Sequence, residues 1–221
     1  MAEYQSGIET KALIYNASKH LFYENGLDGT SFSMIGSATG VNKSLISYHF
    51  KSKANLARAV YEEFLDSFQT WLYSDLIHEE FGVAFSCASI VLFRFTCSNL
   101  SFRRFYNEMK NSSDLSDFSY EIQNDLIRRI AEAYHIDISN EDLITLSCMY
   151  EGVERSLISG VCAGRITQDP EQVVHRDMTF VFSSFGFCTE KIEQMFADGL
   201  ALASRYRIHM EDGFAASFAK R

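Results

Sequence analysis

The chain has 221 residues, of which 47% are hydrophobic and 14% aromatic, and its formal net charge is −9. This composition excludes a disordered chain, because disordered chains lack the apolar side chains that build a core. The single proline, Pro170, leaves long helices unbroken, so we expect an all-α fold.

The first predicted helix covers residues 7–24. Ser6 and Glu9 have the spacing of a capping box, and apolar or small side chains from Ile14 to Phe22 recur at helical spacing. Asn25 and Gly26 then supply residues that tolerate a left-handed conformation.

Three shorter signals follow in quick succession. Thr30 and Ser31 predict the start of a second helix that Gly40 ends, and Asn42 predicts the start of a third helix that reaches about His49. Ser52 then opens a long fourth helix, whose apolar residues at 56, 60, 64 and 68 recur every four positions. This helix is expected to continue past Trp71 without a flexible linker.

The remaining chain reads as further helices, and two domains are expected overall. The predicted helices cover about 81–98, 100–111, 114–135, 140–164, 170–187 and 189–208. Residues 1–55 are predicted to be a three-helix helix-turn-helix domain. Residues 56–221 are predicted to be a larger helical domain for effector binding and dimerisation, joined to the first by the long helix.

The charge is unevenly divided between these parts. A net acidic protein is repelled by nucleic acid when it is considered as a whole. The first 60 residues, however, carry six Lys or Arg against four Asp or Glu, and the other 161 residues carry 14 against 25. The asymmetry indicates a mildly basic contact domain on an acidic body.

A helix-turn-helix motif is predicted between residues 31 and 50. Two short helices that cross closely need a small residue in the first helix, a residue that tolerates positive φ in the turn and a branched apolar residue in the second helix. Gly36, Gly40 and Ile46 meet these needs in this order, and Val41 is expected to pack at the turn.

The third helix then has a buried side and a polar outward side. Ile46 and Phe50 point into the small core, whereas Ser44 and Tyr48 lie opposite, with Leu45 and Ser47 at the margins. The flanking residues Lys43, His49, Lys51 and Lys53 are basic or can become so. Such a face is typical of a helix in the DNA major groove, where hydroxyls reach base edges and cations meet phosphates.

The segment VNKSLISYHFKSKANL, preceded by ENGLDGTSFSMIGSATG, resembles the N-terminal domain of the tetracycline-repressor (TetR) family over roughly residues 8–58. The resemblance implies an all-helical homodimer whose second domain binds a small ligand and thereby moves the DNA-reading heads apart. It places Asn42, Lys43, Ser44, Ser47, Tyr48 and His49 on the recognition helix, and Thr30, Ser31 and Lys53 on phosphates.

Two residues depart from the family pattern. Ser47 stands where members most often have tyrosine, and Leu45 stands where a small or polar residue is usual. We hypothesise that Leu45 contacts a thymine methyl group, because an apolar side chain is otherwise out of place on that flank. The operator sequence therefore cannot be taken over from relatives.

Candidates for an effector pocket are aromatic residues and methionines on helices that could surround a cavity, although each such residue is more often plain core. They are Phe85, Phe93, Tyr106, Met109, Tyr120, Met149, Tyr150 and Phe180. Many aromatics suit an apolar or flat ligand. Charged anchors for such a ligand could come from Glu151, Arg155, His175 and Arg176.

Two regions could form a subunit interface. Gly152, Ser156, Gly160 and Gly164 place a small residue at every fourth position, which permits either a close subunit contact or a tight crossing within one chain. The preferred dimer surface is the last pair of helices, which family members join in a four-helix bundle. Its residues are Phe180, Phe182, Phe185, Met195, Phe196, Leu200 and Ala203.

Other classes of protein receive no support from the sequence. The five cysteines are odd in number and contain no Cys-x-x-Cys pair, and the histidines show no ligand spacing. We therefore expect buried thiols in a reducing cytoplasm, with no metal and no cofactor. Nucleophile elbows, phosphate-binding glycine loops and His-Glu-x-x-His are missing from the sequence, so neither catalytic residues nor an enzyme is predicted.

A membrane partner is not expected either. The most apolar stretch, residues 81–93, is about 13 residues long and is followed by Arg94, whereas a spanning helix needs about 20 apolar residues. The N-terminal segment also has no signal-peptide pattern, which predicts a cytoplasmic protein.

The sequence thus predicts a ligand-responsive DNA-binding regulator, a repressor, that binds a roughly palindromic double-stranded DNA operator as a homodimer. The two reading heads would be separated by about 34 Å or slightly more. The alternative is a helical small-molecule-binding or interaction module without specific DNA binding. The sequence specifies neither the effector nor the operator.

Overall fold

The computed structural model describes residues 2–211 and 213–220, and its side chains from Gly7 onward. Within these residues ten α-helices, one short 3-10 turn and one two-stranded sheet are found. The helices are α1 (Ala2–Asn25), α2 (Phe32–Thr39), α3 (Lys43–Phe50), α4 (Lys53–Asp75), α5 (Phe81–Ser98), α6 (Leu100–Lys110), α7 (Ser116–Ala133), α8 (Asn140–Cys162), α9 (Pro170–Ser184) and α10 (Thr189–Ala203). The predicted helical fold class is confirmed.

The predicted starts of α2, α3 and α4 are confirmed in detail. Ser31, Asn42 and Ser52 each have extended backbone, and each side chain accepts a backbone N–H three residues further on. These bonds satisfy amide groups that the first turn of a helix leaves without intrahelical partners. Helix α4 continues past Trp71, as expected, and ends at Asp75.

The predicted start of the first helix is wrong. Helix α1 begins at Ala2, so Ser6 lies inside the helix instead of capping it. The Ser6 side chain lies outside the described residues. Gly26 ends this region with a φ of 78°, which confirms the predicted left-handed stop.

A β-hairpin replaces the end of the last predicted helix. Helix α10 stops at Ala203, and strands β1 (Tyr206–Glu211) and β2 (Ala215–Lys220) pair antiparallel from Tyr206 opposite Lys220 to Glu211 opposite Ala215. An Asp-Gly pair between two runs of alternating side chains is a hairpin signal. The prediction of helix to residue 208 overlooked that signal at residues 212–213.

Two groups of buried side chains form the core. The first joins α1–α4 to α6 and the hairpin, and includes Phe22, Ile46, Phe102 and Phe214. The second is centred on α5 with α8, α9 and α10 around it. The hairpin therefore connects the C-terminal part of the chain to the core beneath the first helices.

Helix α5 is by length and composition the one described helix that could cross a membrane. Half of its 18-residue apolar window is buried inside the structure, against α9, α10 and neighbouring elements. Its apolar character is therefore explained by its place in the second core group.

The five thiols differ from the expectation that all are buried. Cys87 is buried and Cys97 half-buried, whereas Cys148, Cys162 and Cys188 are exposed, and all five are free. Burial raises the pKa of the Cys87 thiol to about 12, so this thiol remains protonated at neutral pH.

Candidate nucleic-acid interface and ligand cavity

The crossing of α2 and α3 explains the spacing of the helix-turn-helix residues. A Cβ atom on Gly36 would lie 2.8 Å from the carbonyl oxygen of Val41, so only glycine fits there without a shift. Gly40 has a φ of 72°, and Ile46 is fully buried beneath the crossing. The predicted roles of Gly36, Gly40 and Ile46 are confirmed.

The outward face of α3 is exposed as predicted. Tyr48 is 78% exposed and Leu45 is 37% exposed. Ser44 is also exposed and Ser47 is half-buried, while the His49 ring packs edge-on to Tyr48 at 5.3 Å between centroids. The face thus offers two short hydroxyls, a phenol and one apolar side chain to a partner.

The surroundings of this face favour an anionic partner. Lys43 and Lys51 are exposed at the two ends of α3. None of the helices α2, α3 and α4 has an acidic residue in its first turn. Free amide groups and the helix dipole make such N-termini favourable for phosphate groups.

The prediction that the Thr30 side chain contacts phosphate is contradicted. Thr30 is 2% exposed, and its hydroxyl donates to the carbonyl oxygens of Gly26 at 2.7 Å and Leu21 at 3.1 Å. The hydroxyl thereby gives a donor to the carbonyl oxygen of Gly26, just after α1, and a further donor to that of Leu21, which the Asn25 side-chain amide also reaches at 3.2 Å. Its neighbour Ser31 is exposed and remains available.

Lys53 also has a structural role. Its ammonium group donates to the carbonyl oxygens of Leu27 at 2.7 Å and Thr30 at 3.0 Å. The side chain thereby holds the α1–α2 turn against the start of α4. Since an ammonium group has three donors, two of which are used here, the predicted phosphate contact is at most a secondary function of Lys53.

Helix α6, in the larger C-terminal part of the chain, also forms hydrogen bonds with the turn between α1 and α2. Glu108 accepts the backbone N–H groups of Leu27 at 2.5 Å and Asp28 at 3.1 Å. Arg104 donates to the carbonyl oxygens of Tyr23 and Glu24 at the end of α1. One face of α6 therefore fixes the base of the helix-turn-helix unit.

A cavity of about 70 Å³ lies next to another face of α6, enclosed by α5, α6, α8 and α9. Its lining combines aliphatic and aromatic side chains with two carboxyl groups, two phenols and the hydroxyls of Ser89 and Thr96. The lining residues are Ser89, Leu92, Phe93, Thr96, Tyr106, Tyr150, Glu154, Leu157, Ile158, Val173, Val174 and Asp177.

Both carboxylate oxygens of Glu154 accept hydrogen bonds from other helices. Its carboxylate accepts the Tyr106 hydroxyl and the Gln123 side-chain amide, and Lys110 donates to it at 2.6 Å. The Lys110 side chain is only 1% exposed, so this is a buried ion pair. Burial, followed by the nearby Glu154 charge, raises the pKa of Tyr106 well above its usual value.

Asp177 is bonded through one oxygen only. Tyr150 donates to its Oδ2 atom at 2.9 Å, whereas its buried Oδ1 atom has no hydrogen-bond partner in the described part of the chain. Burial raises the pKa of the Asp177 carboxyl to about 7; the Tyr150 hydrogen bond opposes this rise and the Glu154 charge adds to it. The cavity thus holds an acidic group with unused hydrogen-bonding capacity.

Residues 14–60 match the family model described as "Bacterial regulatory proteins, tetR family". The chain carries a domain of the tetR family. The match covers the second half of α1, all of α2 and α3 and the start of α4, and confirms the resemblance found in the sequence.

Solved structures share the fold over most of the chain. The SmeT repressor of the Stenotrophomonas maltophilia multidrug efflux pump SmeDEF is 17% identical, with a TM-score of 0.56 over 79% of this chain and 89% of that one. RolR in complex with resorcinol is 13% identical, with a TM-score of 0.57 over 88% and 95%. A tetR-family regulator from Streptomyces coelicolor is 16% identical, with a TM-score of 0.55 over 87% and 89%.

Three of the eight predicted ligand residues line the cavity, namely Phe93, Tyr106 and Tyr150. The other five do not. Met109 is buried in the first core group, Met149 is 47% exposed, and Phe85, Tyr120 and Phe180 are half-buried elsewhere. An aromatic residue or methionine on a helix that could surround a cavity need not face that cavity, and Met149 faces solvent.

The charged residues of the cavity were missed by sequence reasoning. The expected anchors Glu151, Arg155, His175 and Arg176 do not line it, and Glu154 and Asp177 do. The sequence does contain a signal for Glu154. It lies four residues from both Tyr150 and Ile158, and so on the same face of helix α8 as these two apolar residues. A carboxylate in the apolar stripe of a helix needs a buried partner.

The predicted dimer surface is partly used within the monomer. Phe182, Met195 and Ala203 are fully buried in the second core group and cannot contact a second subunit. Phe180, Phe185, Phe196 and Leu200 are half-buried and remain candidates. In α8, the position of Gly160 is explained within the chain, because a Cβ there would meet Ile166 at 2.7 Å.

Proposed function

We propose that the chain is a cytoplasmic transcriptional repressor that binds a roughly palindromic DNA operator as a homodimer and is released by a small-molecule effector. The exposed polar face of α3, set on the intact Gly36–Gly40–Ile46 crossing, is the observation that carries the proposal. The match of this segment to the tetR family supports it.

The DNA contacts would divide into two groups. Ser44, Leu45, Ser47 and Tyr48 would reach base edges from α3 in the major groove. Phosphates would be bound by residues at the helix ends, namely Ser31, Asn42, Lys43 and His49, with a secondary contribution from Lys53. Thr30 is omitted because its hydroxyl is buried.

Effector binding would occur in the cavity beside α6, within the domain formed by residues 56–221. The helix carries Tyr106 and Lys110 toward the cavity and Arg104 and Glu108 toward the end of α1, in the reading domain of residues 1–55. An effector that favours a shifted α6 would therefore shift the reading head. A few kcal/mol of differential affinity between the two states suffices to change operator occupancy.

The half-buried aromatic residues of α9 and α10 are proposed as the dimer surface. Phe180 and Phe196 are partly exposed on these helices in the single chain. Phe180→Glu should convert the dimer to a monomer in sedimentation experiments, because a charge would be buried at the interface. A native chain that sediments as a monomer at all concentrations contradicts the dimer.

The deciding experiment is selection of bound DNA from a random pool with the full-length protein, with Tyr48→Ala as the variant and Tyr73→Ala as the control. Tyr73 is 57% exposed on α4, outside the reading head. An enriched, roughly palindromic sequence that only Tyr48→Ala loses supports the proposal. If a low-salt filter assay detects neither specific nor salt-dependent DNA binding, the result supports the alternative, a ligand-binding module that does not bind DNA.

A further inference from the structure

The ligand cavity has an apolar wall and an acidic corner. Leu92, Ile158 and Val174 are among the aliphatic residues of the wall, and Tyr150 and Asp177 lie at the corner. A binding site of this form takes a ligand with an apolar body and one polar group. The chemistry of the corner decides which polar group is accepted.

Among the residues that line the cavity, Asp177 has the one buried side-chain oxygen without a hydrogen-bond partner. Glu154 already has three donors, from Tyr106, Lys110 and Gln123. Asp177 has only the Tyr150 hydroxyl on Oδ2, and its Oδ1 atom is buried without a partner. Buried carboxylate oxygens are normally paired, so this atom is where a ligand donor would bind.

The charge balance at the corner favours a positive ligand. When Asp177 is ionised, it and Glu154 bring two negative charges, and the Lys110 ammonium group pairs with Glu154. The remaining titratable lining groups are Tyr106 on α6 and Tyr150 on α8, whose pKa values burial raises so that both stay neutral. Helix α5 contributes only uncharged lining residues.

We propose that the cavity binds a protonated primary amine on a short branched hydrocarbon, with the ammonium group donating to Oδ1 of Asp177 and the hydrocarbon packed on Leu92, Ile158 and Val174. The inference rests on the proposed function in taking this cavity as the effector site. A cavity of about 150 Å³ holds benzene, and the volume here is about 70 Å³. A branched four-carbon amine is about as large as benzene, so the cavity has to widen when this ligand binds.

Three probes of similar size that share a branched hydrocarbon test the charge preference, namely isobutylammonium, isobutanol and isobutyrate. Binding to the full-length protein without DNA is measured by ligand-observed NMR titration. We expect isobutylammonium to bind at least about tenfold more tightly than isobutanol, since a charged hydrogen bond to a buried carboxylate exceeds a neutral one. Isobutyrate should bind more weakly than either. Equal binding of the ammonium and the alcohol overturns the proposal.

The variant Asp177→Asn removes the charge of the carboxylate and keeps its shape. Asp169→Asn is the matched control, because Asp169 is exposed and directly precedes α9, the helix that carries Asp177. Asp177→Asn should abolish the preference for isobutylammonium, whereas Asp169→Asn should retain it. A preference that survives in Asp177→Asn contradicts the assignment of Oδ1.

A pH titration of the native protein needs no variant. The affinity for isobutylammonium should rise by up to about tenfold between pH 6 and pH 8, because Asp177 ionises near pH 7 while the amine stays protonated. The affinity for isobutanol should not rise. A fall with rising pH would show that protonated Asp177 donates to a neutral ligand, which overturns the proposal. None of these readouts uses DNA, so failure here is separate from failure of the repressor proposal.

Discussion

Glu108 on α6 accepts the backbone N–H of Leu27 at 2.5 Å, and so joins the helix beside the ligand cavity to the turn between α1 and α2. The same carboxylate also accepts the N–H of Asp28. A Cβ on Gly26 would lie 2.5 Å from the Glu108 Oε2 atom, so the contact depends on glycine at the turn. Sequence-distant residues thus hold the reading head in place.

Glu108→Ala should lower the free energy of unfolding by roughly 1–3 kcal/mol, because the part-buried amide of Leu27 and the exposed amide of Asp28 lose a charged acceptor. Amide hydrogen exchange at Leu27 and Asp28 should become faster, while exchange around the cavity should not change. Glu132→Ala, at an exposed position on α7, is the control. Unchanged protection of Leu27 in the Glu108 variant would refute the contact.

Thr30→Val should cost about 1–2 kcal/mol of stability because two carbonyl oxygens lose their hydroxyl donor. The folded variant should keep its DNA affinity and the slope of log K against log salt. Ser31→Ala should also destabilise by about 1 kcal/mol through the lost N-cap. A lower salt slope in Thr30→Val would restore the phosphate role rejected above.

Leu45→Ala should weaken binding to the selected operator by about 1 kcal/mol and leave binding to random DNA unchanged, because a contact with a thymine methyl is lost. Lys43→Ala is the comparison, and it should weaken both kinds of DNA and reduce the salt slope by about one. Fluorescence titrations at several salt concentrations separate the two. Equal loss by Leu45→Ala on both DNAs rejects the methyl contact.

The Asp177 carboxyl predicts a pH-dependent stability. Its pKa is about 7 in the folded chain and 3.8 in the reference state, so between these values the folded state binds more protons than the unfolded state. The free energy of unfolding is therefore highest below about pH 4. It falls as the pH rises to about 7, by at most roughly 4 kcal/mol. Urea unfolding of native protein and Asp177→Asn should show the variant gaining relative stability over this range. Parallel curves would contradict the raised pKa.

Phe214→Ala should cost about 3–5 kcal/mol, as is usual for a buried phenylalanine. The ring is 3% exposed and packs against Phe105, Tyr23 and Phe102 at centroid distances of 4.7, 5.4 and 6.4 Å. Removal of the ring should expose its neighbours, so backbone amides in both α1 and α6 should lose protection from hydrogen exchange. Ala215→Gly, on the exposed face of β2, provides a control of small cost.

Local chemistry made the reading head predictable from the sequence. Caps such as Asn42, the left-handed Gly40 and the close approach at Gly36 act within a few residues, so their pattern appears directly in the sequence. The start of α1 was misplaced because Ser6 fits a capping box that the helix does not use.

The cavity could not be predicted in the same way. Tyr106 and Glu154 are separated by 48 positions and Tyr150 and Asp177 by 27, so their pairing depends on how the helices pack. Periodicity shows that a side chain faces inward but not which helix it meets. The hairpin was missed for a related reason, since its apolar residues Ile208 and Met210 extend the pattern of α10.

The hairpin also affects the order in which parts of the chain can fold during synthesis. Met210 and Phe214 complete the same buried group as Ile14 and Phe22, so the first helix packs against residues that leave the ribosome long after it does. Until then, the apolar side of α1 is exposed to chaperones and to neighbouring chains. The DNA-reading end of the molecule, although synthesised first, is therefore among the last parts to mature.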